Sequence, residues 1–302
     1  MTLAITGGTG FVGQAVLDQA AALGRPVRAL TRREQAERDG LTWVRGDLST
    51  PAALAQLVNG AEAVIHIAGV VNAPDEAGFH TGNVQGTQNV VTAMKDAGVQ
   101  RLVHVSSLAA REPRLSLYGE SKQNAECHVE ESGLDWTIVR PPAVYGPRDT
   151  EILDVFKSAK WGFVPMPPPG RASIIHVDDL ARLLLAIAGE PAGAIPPVME
   201  PDDGRPGGWS HKELAHAIGN AMGRRVWAPN VPRAVLMTAA RVDRLFRGQG
   251  AKLTLDRASY MAHPDWTCRR ENAVPERVWS PRIDTRQGLT DTARWYRRNG
   301  WL

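Results

Sequence analysis

The chain has 302 residues, of which 43% are hydrophobic and 22% charged, with a formal net charge of +3. That composition suits one large or two modest globular domains with a real core and excludes a disordered or collagen-like chain. Two cysteines, Cys127 and Cys268, and eight scattered histidines exclude a disulfide framework and a metal site of ordinary spacing, and no run of about 18 apolar residues could span a membrane.

The opening residues MTLAITGGTGFVG enter a strand at once, which leaves no room for a cleaved leader and points to a cytoplasmic protein. Short apolar runs then recur: LAIT at 3–6, VRAL at 27–30, LTWVRG at 41–46, AVIHIAG at 63–69, RLVHVSS at 101–107 and WTIVRP at 136–141. Between them lie helix-like stretches at 11–24, 51–60 and 84–98, several ending in glycine, a common stop just past a helix. Strands alternating with helices predict an α/β fold, a Rossmann-type doubly wound parallel sheet covered on both faces. A further strand–helix pair at 172–189 is expected to return to that sheet. The Pro/Gly-rich stretches at 165–170 and 190–208 mark boundaries. The expected division is 1–150 with 172–190 as a dinucleotide-binding domain, and 151–171 with 191–302 as a smaller substrate-binding cap.

The glycines after the first strand admit two countings: Gly8, Gly10 and Gly13 as G-x-G-x-x-G, or Gly7, Gly10 and Gly13 as T-G-x-x-G-x-x-G. Either permits a tight turn, close approach to a pyrophosphate and phosphates at a helix N-terminus. The second strand ends ALTRR, placing Arg32 and Arg33 where an NAD-preferring site carries a carboxylate. An arginine fork binds a 2′-phosphate by charge-assisted hydrogen bonds, which favours NADP(H) over NAD(H), with Arg32 the first candidate and Arg33 the second. Tyr118 and Lys122 stand four apart on one helix face. A free tyrosine, with a pKa near 10, is a poor proton donor at neutral pH, and a nearby ammonium favours its phenolate.

Eight ordered motifs carry a family resemblance: TGGTGFVG at 6–13, GDL at 46–48, HIAG at 66–69, NVQGTQNVV at 83–91, VSS at 105–107, YGESK at 118–122, RPPAVYGPRD at 140–149 and IIHVDDLAR at 174–182. Together they resemble the extended short-chain dehydrogenase/reductase (epimerase/dehydratase-like) family over roughly residues 1–190. The resemblance implies the second glycine counting, with Gly7, Gly10 and Gly13 as the functional trio and Thr9, Phe11 and Val12 in the same cofactor-binding turn. It implies that Asp47 and Leu48 contact adenine and that Ala68 and Gly69 line the adenine-ribose side. Tyr118 and Lys122 become the catalytic pair, also touching the cofactor, with Ser107 as the hydroxyl partner and Ser106 second. Some extended members carry that hydroxyl one place further on, where this chain has Leu108. Asn83 matches a supporting asparagine, its ordinary alternative being a helix cap. Pro141 and Val144 match the segment lining the nicotinamide pocket, Arg140 a structural position, and His176 and Asp178 an architectural motif without chemistry.

The C-terminal part differs in composition. From residue 224 onward 16 Lys and Arg face 7 Asp and Glu, and six of the nine tryptophans lie after residue 204. The charge is diffuse and carries no nucleic-acid reading motif. In residues 231–248, Val235, Ala239, Val242 and Phe246 project as one helical stripe, with Arg233, Arg241, Arg244 and Arg247 on the other face. Such a helix either packs its apolar face on its own domain with a solvated arginine face, or lies peripherally on the inner face of an anionic membrane. Together with SSLAAREPRLSLYGESK, the tail from HPDWTC (263–268) to 302 resembles the bacterial ceramide reductases within the family. This implies an NADPH-dependent ketoreductase acting on a hydrophobic, lipid-like carbonyl such as a 3-ketoceramide. The alternatives are a nucleotide-sugar epimerase or dehydratase, and a non-catalytic NADP-binding accessory protein like the reductase-like subunit of respiratory complex I. A homodimer is a candidate assembly.

Overall fold

The computed structural model describes residues 2–191, 193–248 and 253–302. The chain divides into two compact units: residues 1–140, 180–200 and 271–280 form the first, and 141–179, 201–270 and 281–302 the second.

The first unit contains β1 (Thr2–Thr6), α1 (Phe11–Ala22), β2 (Val27–Thr31), β3 (Leu41–Arg45), α2 (Pro51–Val58), β4 (Ala61–His66), α3 (Glu76–Phe79), a π-helical turn (His80–Gln85), α4 (Gly86–Asp96), β5 (Arg101–Val105), α5 (Leu117–Glu130) and β6 (Asp135–Val139). In the second unit, β7 (Ala143–Tyr145), α6 (Leu153–Lys160), β8 (Arg171–Ala172) and β9 (Ile174–His176) come first. The helix α7 (Val177–Ala188) begins there and runs into the first unit, which also holds β10 (Val198–Met199). Then follow, in the second unit, β11 (Trp209–Ser210), α8 (His211–Ala221), α9 (Arg233–Arg247), α10 (Leu255–Met261), β12 (Asp265–Trp266) and α11 (Thr285–Arg298).

The seven-stranded sheet runs β10-β6-β5-β4-β1-β2-β3. All its pairs are parallel, with Ile5 beside Ile65, Ile65 beside Val103 and Val103 beside Thr137. Strand order reverses between β1 and β4, the switch point outside whose carboxyl ends doubly wound sheets bind ligands. The near-continuous apolar runs of β1, β4 and β5 fit strands buried on both faces: Leu3, Ile5, Val64, Ile65, Leu102 and Val103 are all fully buried.

Two expectations are corrected. The strand at 174–176 does not return to the central sheet; it pairs with β7 in a separate two-stranded sheet. The edge position beside β6 is taken instead by β10, which the sequence hides in a proline-rich stretch. The compact units also divide the chain elsewhere than expected: 141–150 and 172–179 lie in the second unit, and 191–200 and 271–280 in the first. The proline-rich 165–170 stretch sits inside the second unit, because its backbone joins the 227–231 segment, with Met166 N–H donating to Pro229 O and Val231 N–H to Met166 O.

Candidate active site at the carboxyl end of the sheet

The glycine turn separates the two countings on steric grounds. Gly7 has φ 76°, and a Cβ there would lie 2.7 Å from the backbone nitrogen of Ala68. A Cβ on Gly13 would run into the Gly7 carbonyl oxygen. Gly10 N–H donates to Gly7 O at 3.0 Å and Gly10 O accepts from Gln14 N–H at 2.8 Å, closing the turn into α1. The pinch is therefore built on Gly7, Gly10 and Gly13, whereas a Cβ on Gly8 would meet only side-chain carbons at 3.2 Å or more. Thr9 and Gly10 are exposed at the tip, Phe11 and Val12 half-buried, so the turn has a bare, cradle-like rim above a close-packed base. That rim fits a dinucleotide pyrophosphate.

Around it stand the other expected contacts. Arg32 and Arg33 are exposed just beyond β2, whose last residue, Thr31, donates from Oγ1 to Arg33 O at 2.7 Å. Asp47 Oδ1 accepts from Ser49 Oγ (2.7 Å), Thr50 Oγ1 (2.8 Å) and Ser49 N–H (2.9 Å). These hydrogen bonds, with a smaller contribution from the Arg32 charge, hold its carboxyl below the usual carboxylate range. Leu48 lies against α4, where a Cβ on Gly86 would meet its Cδ1 at 2.6 Å.

The catalytic candidates converge on the end of β5. Ser116 caps α5 by accepting from Gly119 N–H at 3.0 Å. Gly119 lets this helix close on the short 3-10 segment after Ser107, since a Cβ there would sit 2.7 Å from Ala109 O. Tyr118 is half-buried, its ring 6.2 Å from that of Phe79. Lys122, one turn on, is buried and donates from Nζ to Val105 O at 2.9 Å. Burial pushes its ammonium down to about 8, against the raising effect of Glu126. A Cβ on Gly69 would fall 2.9 Å from Asn83 Oδ1 and 3.8 Å from Lys122 Nζ, so Gly69, Asn83 and Lys122 form one cluster.

Asn83 is not a helix cap. It lies inside the π-helical turn, where its Oδ1 accepts from Val70 N–H at 2.7 Å and its Nδ2 donates to Val70 O at 2.9 Å and Ser121 Oγ at 2.8 Å. Ser121 donates in turn to Tyr118 O at 2.8 Å. Asn83 thereby ties the β4 exit loop to the helix carrying Tyr118 and Lys122. Of the two serines, Ser106 is buried and its Oγ finds no hydrogen-bond partner among the described residues. Ser107 is half-buried, its Oγ accepting from Ala109 N–H at 3.2 Å. Ala68 is half-buried at the β4 exit, its N–H donating to Thr6 Oγ1 at 3.2 Å. Pro141 and Val144 belong to the second unit, buried and half-buried respectively, with Val144 beside Ile175 in the β7–β9 pair.

Four features were not read from the sequence. His66 and His104 occupy matching positions in β4 and β5, ring centroids 5.3 Å apart. His66 bridges Thr6 Oγ1 (2.6 Å) and Thr87 Oγ1 (3.0 Å). Burial, then the Lys122 charge, pushes His66 down to about 3 and His104 well below its ordinary value. Beside the site, Arg140 holds Glu126 through contacts of 2.6, 3.0 and 3.2 Å, which gives Arg140 its structural part. Arg111 pairs with Glu200 at 3.1 Å, both side chains nearly or wholly buried. Signals existed: histidine at the same place in AVIHIAG and RLVHVSS, and Glu126 continuing the 118–122 spacing along one helix face.

The glycine cradle at the switch point of a doubly wound parallel sheet places this chain among the nucleotide-binding α/β proteins. Residues 7–191 match the NAD(P)H-binding family. The chain is 36% identical to ceramide reductase from Caulobacter vibrioides (strain NA1000 / CB15N), over 99% of this chain and 96% of that protein. It is 28% identical to the 4-hydroxy-2-methyl-3-oxo-4-farnesyl-3,4-dihydroquinoline-1-oxide ketoreductase of Stigmatella aurantiaca, over 94% and 93% of the two chains. Its fold is that of the crystal structure of gox2253, with a TM-score of 0.79, 25% identity and coverage of 100% and 99%. The chain belongs to the extended short-chain dehydrogenase/reductase family and is an NAD(P)-dependent reductase.

Proposed function

We propose that this protein is an NADPH-dependent ketoreductase that reduces a carbonyl on a hydrophobic, lipid-like substrate such as a 3-ketoceramide. The observation that carries this reading is the 36% identity to a ceramide reductase, sustained over 99% of the chain and so through the second unit as well as the first. The relative from Stigmatella aurantiaca also bears, in its name, a keto group on a molecule with a farnesyl chain.

In this mechanism Gly7, Thr9, Gly10, Phe11, Val12 and Gly13 would hold the pyrophosphate, Arg32 and then Arg33 the 2′-phosphate, and Asp47 and Leu48 the adenine. When bound, the reduced nicotinamide supplies the hydride that the carbonyl carbon receives. Tyr118 gives its phenolic proton to the carbonyl oxygen, so that an alcohol forms and the hydride and proton balance. Lys122 stabilises the phenolate left behind and holds the cofactor ribose; its anchoring to Val105 O fixes the ammonium in place. Ser107 donates a hydrogen bond to the carbonyl oxygen, with Ser106 as the alternative donor, and Asn83 keeps the loop and helix in register.

The test pairs NADPH with a 3-ketoceramide in detergent or vesicles and, separately, with common nucleotide sugars. Reduction of the long-chain ketone alone is expected. Turnover of a nucleotide sugar alone installs the epimerase reading, and NADPH binding without either turnover installs the accessory-protein reading. Calorimetric titration should give NADPH at least roughly tenfold tighter binding than NADH, a difference of about 1.4 kcal/mol for a charge-assisted fork. Equal affinities would remove the 2′-phosphate role of Arg32.

A further inference from the structure

The helix α9 exposes the side that amphipathic packing would hide. Ala240 is its fully buried residue among those described, with Leu236, Met237 and Asp243 half-buried on the same side. At 100° per residue these lie away from the stripe of Val235, Ala239, Val242 and Phe246. Val235 and Val242 are about half exposed, while Leu245 and Phe246 are each 82% exposed. Arg241 projects beside Leu245, whereas Arg233, Arg244 and Arg247 fall on the same side as Ala240, and all four are exposed. Among the described residues, the apolar side of this helix does not pack inward.

A second apolar surface lies in the same unit. Trp161 is 84% and Trp227 69% exposed, and the Phe163 and Trp227 rings are 5.4 Å apart. Trp227 N–H donates to Gly162 O at 2.9 Å and Val164 N–H to Trp227 O at 3.0 Å, so backbone hydrogen bonds hold Trp227 beside Phe163, with Trp161 two residues before Phe163 in sequence. Exposed Lys160, Arg224 and Arg225 flank them in sequence. The 227–231 segment then leads directly into α9. By composition, the second unit holds 21 Lys and Arg against 13 Asp and Glu, a net +8, so the surfaces bearing these apolar side chains belong to a cationic body.

From this we infer that α9 and the Trp161–Phe163–Trp227 patch are a docking surface for an anionic lipid bilayer. The inference rests on the lipid-substrate reading only in its choice of occupant: an enzyme whose substrate resides in a membrane gains access by sitting on it. Exposed Trp, Phe and Leu enter the interfacial region of a bilayer, and flanking cations draw the protein to anionic headgroups. A nucleic acid or an acidic protein would be met by the cations and leave Leu245 and Phe246 unsatisfied.

The experiment sediments the full chain with vesicles of phosphatidylglycerol and phosphatidylcholine in equal parts, and with phosphatidylcholine alone. Two double variants accompany it, Leu245→Asp with Phe246→Asp and Trp161→Ser with Trp227→Ser, both on exposed side chains, with thermal unfolding as the check on folding. A third, Arg241→Gln with Arg244→Gln, tests charge. Wild-type protein is expected to partition onto the anionic vesicles and lose that partition at high salt. The first variant should weaken it more than about tenfold, and each arginine removed should cost on the order of fivefold. Failure of wild-type protein to bind, equal binding to both vesicles, or binding unchanged in folded variants would each overturn the proposal. A concentration-dependent dimer, formed without lipid and lost in the same variants, would overturn it in favour of a second copy of this chain. Vesicle binding with no ketone turnover leaves docking standing and removes the lipid ketone, whereas ketone turnover in detergent with no vesicle binding does the reverse.

Discussion

The two units of this protein solve different problems with different amino acids. The first carries 14 Lys and Arg against 19 Asp and Glu, a net −5, and is organised by seven parallel strands whose ends deliver functional groups to one place. Its polar residues near the site are buried and committed: Lys122 to Val105 O, Asn83 to Val70 and Ser121, Glu126 to Arg140. The second, at net +8, is built from short strands and helices around a core that includes Tyr145, Phe156, Leu289 and Tyr296, and leaves large apolar side chains outside. Cofactor chemistry demands fixed distances and so leaves short, spaced motifs. Recognition of an apolar substrate demands surface and volume, which many sequences supply equally well.

The largest expected effects come from breaking the first unit. Gly13→Ala places a methyl group against the Gly7 carbonyl and should abolish cofactor binding, and with it much of the folded protein, measurable by calorimetry and thermal unfolding. Tyr118→Phe removes only the proton-transferring oxygen. Turnover should fall by about 10²–10⁴-fold while NADPH affinity stays close to that of the wild type. Retained turnover would remove the assigned mechanism. Ser107→Ala should slow turnover more than Ser106→Ala, and the opposite order would transfer the hydroxyl role to the buried serine.

A subtler effect concerns pH. The Lys122 ammonium, already pushed down to about 8 by burial, is supported by Glu126. Glu126→Gln removes that support, so the ammonium is lost at lower pH and the alkaline limb of the kcat profile should move to lower pH. An unmoved limb would show that Glu126 serves only to hold Arg140. The buried histidines act on stability and not on turnover. With His66 down at about 3 and unfolded histidine near 6.5, the unfolded chain binds the extra proton first. Stability to urea should therefore be fully present above about pH 6.5 and decline as pH falls from there towards 3, the opposite of a histidine that gains a partner. His66→Gln should flatten this slope. An equally steep slope in the variant would assign the acid sensitivity elsewhere.

The same contrast explains what the sequence revealed. The central strands β1, β4 and β5 were legible because parallel strands buried on both faces are near-continuous apolar runs. The glycine turn itself was legible, whereas the steric difference between Gly7 and Gly8 shows only in three dimensions. The edge strand β10 was not, because two residues in PPVMEP carry no periodicity. Asn83 is ambiguous in sequence, since an asparagine before a helix is the ordinary cap signal; only the π-helical turn shows its side chain committed elsewhere. The pair Arg111–Glu200 spans 89 residues, a separation no local pattern records. In α9 the apolar stripe was legible, yet which way it faces is a tertiary fact.

The central claim is carbonyl reduction on a long-chain substrate, and it is tested most directly by mass spectrometry of a 3-ketoceramide incubated with the protein and NADPH in anionic vesicles. The account predicts conversion of the ketone to the alcohol, with stoichiometric NADPH oxidation in the wild type and a rate lower by about 10²–10⁴-fold in Tyr118→Phe. An unchanged ketone, together with conversion of a nucleotide sugar by the same preparation, would contradict it.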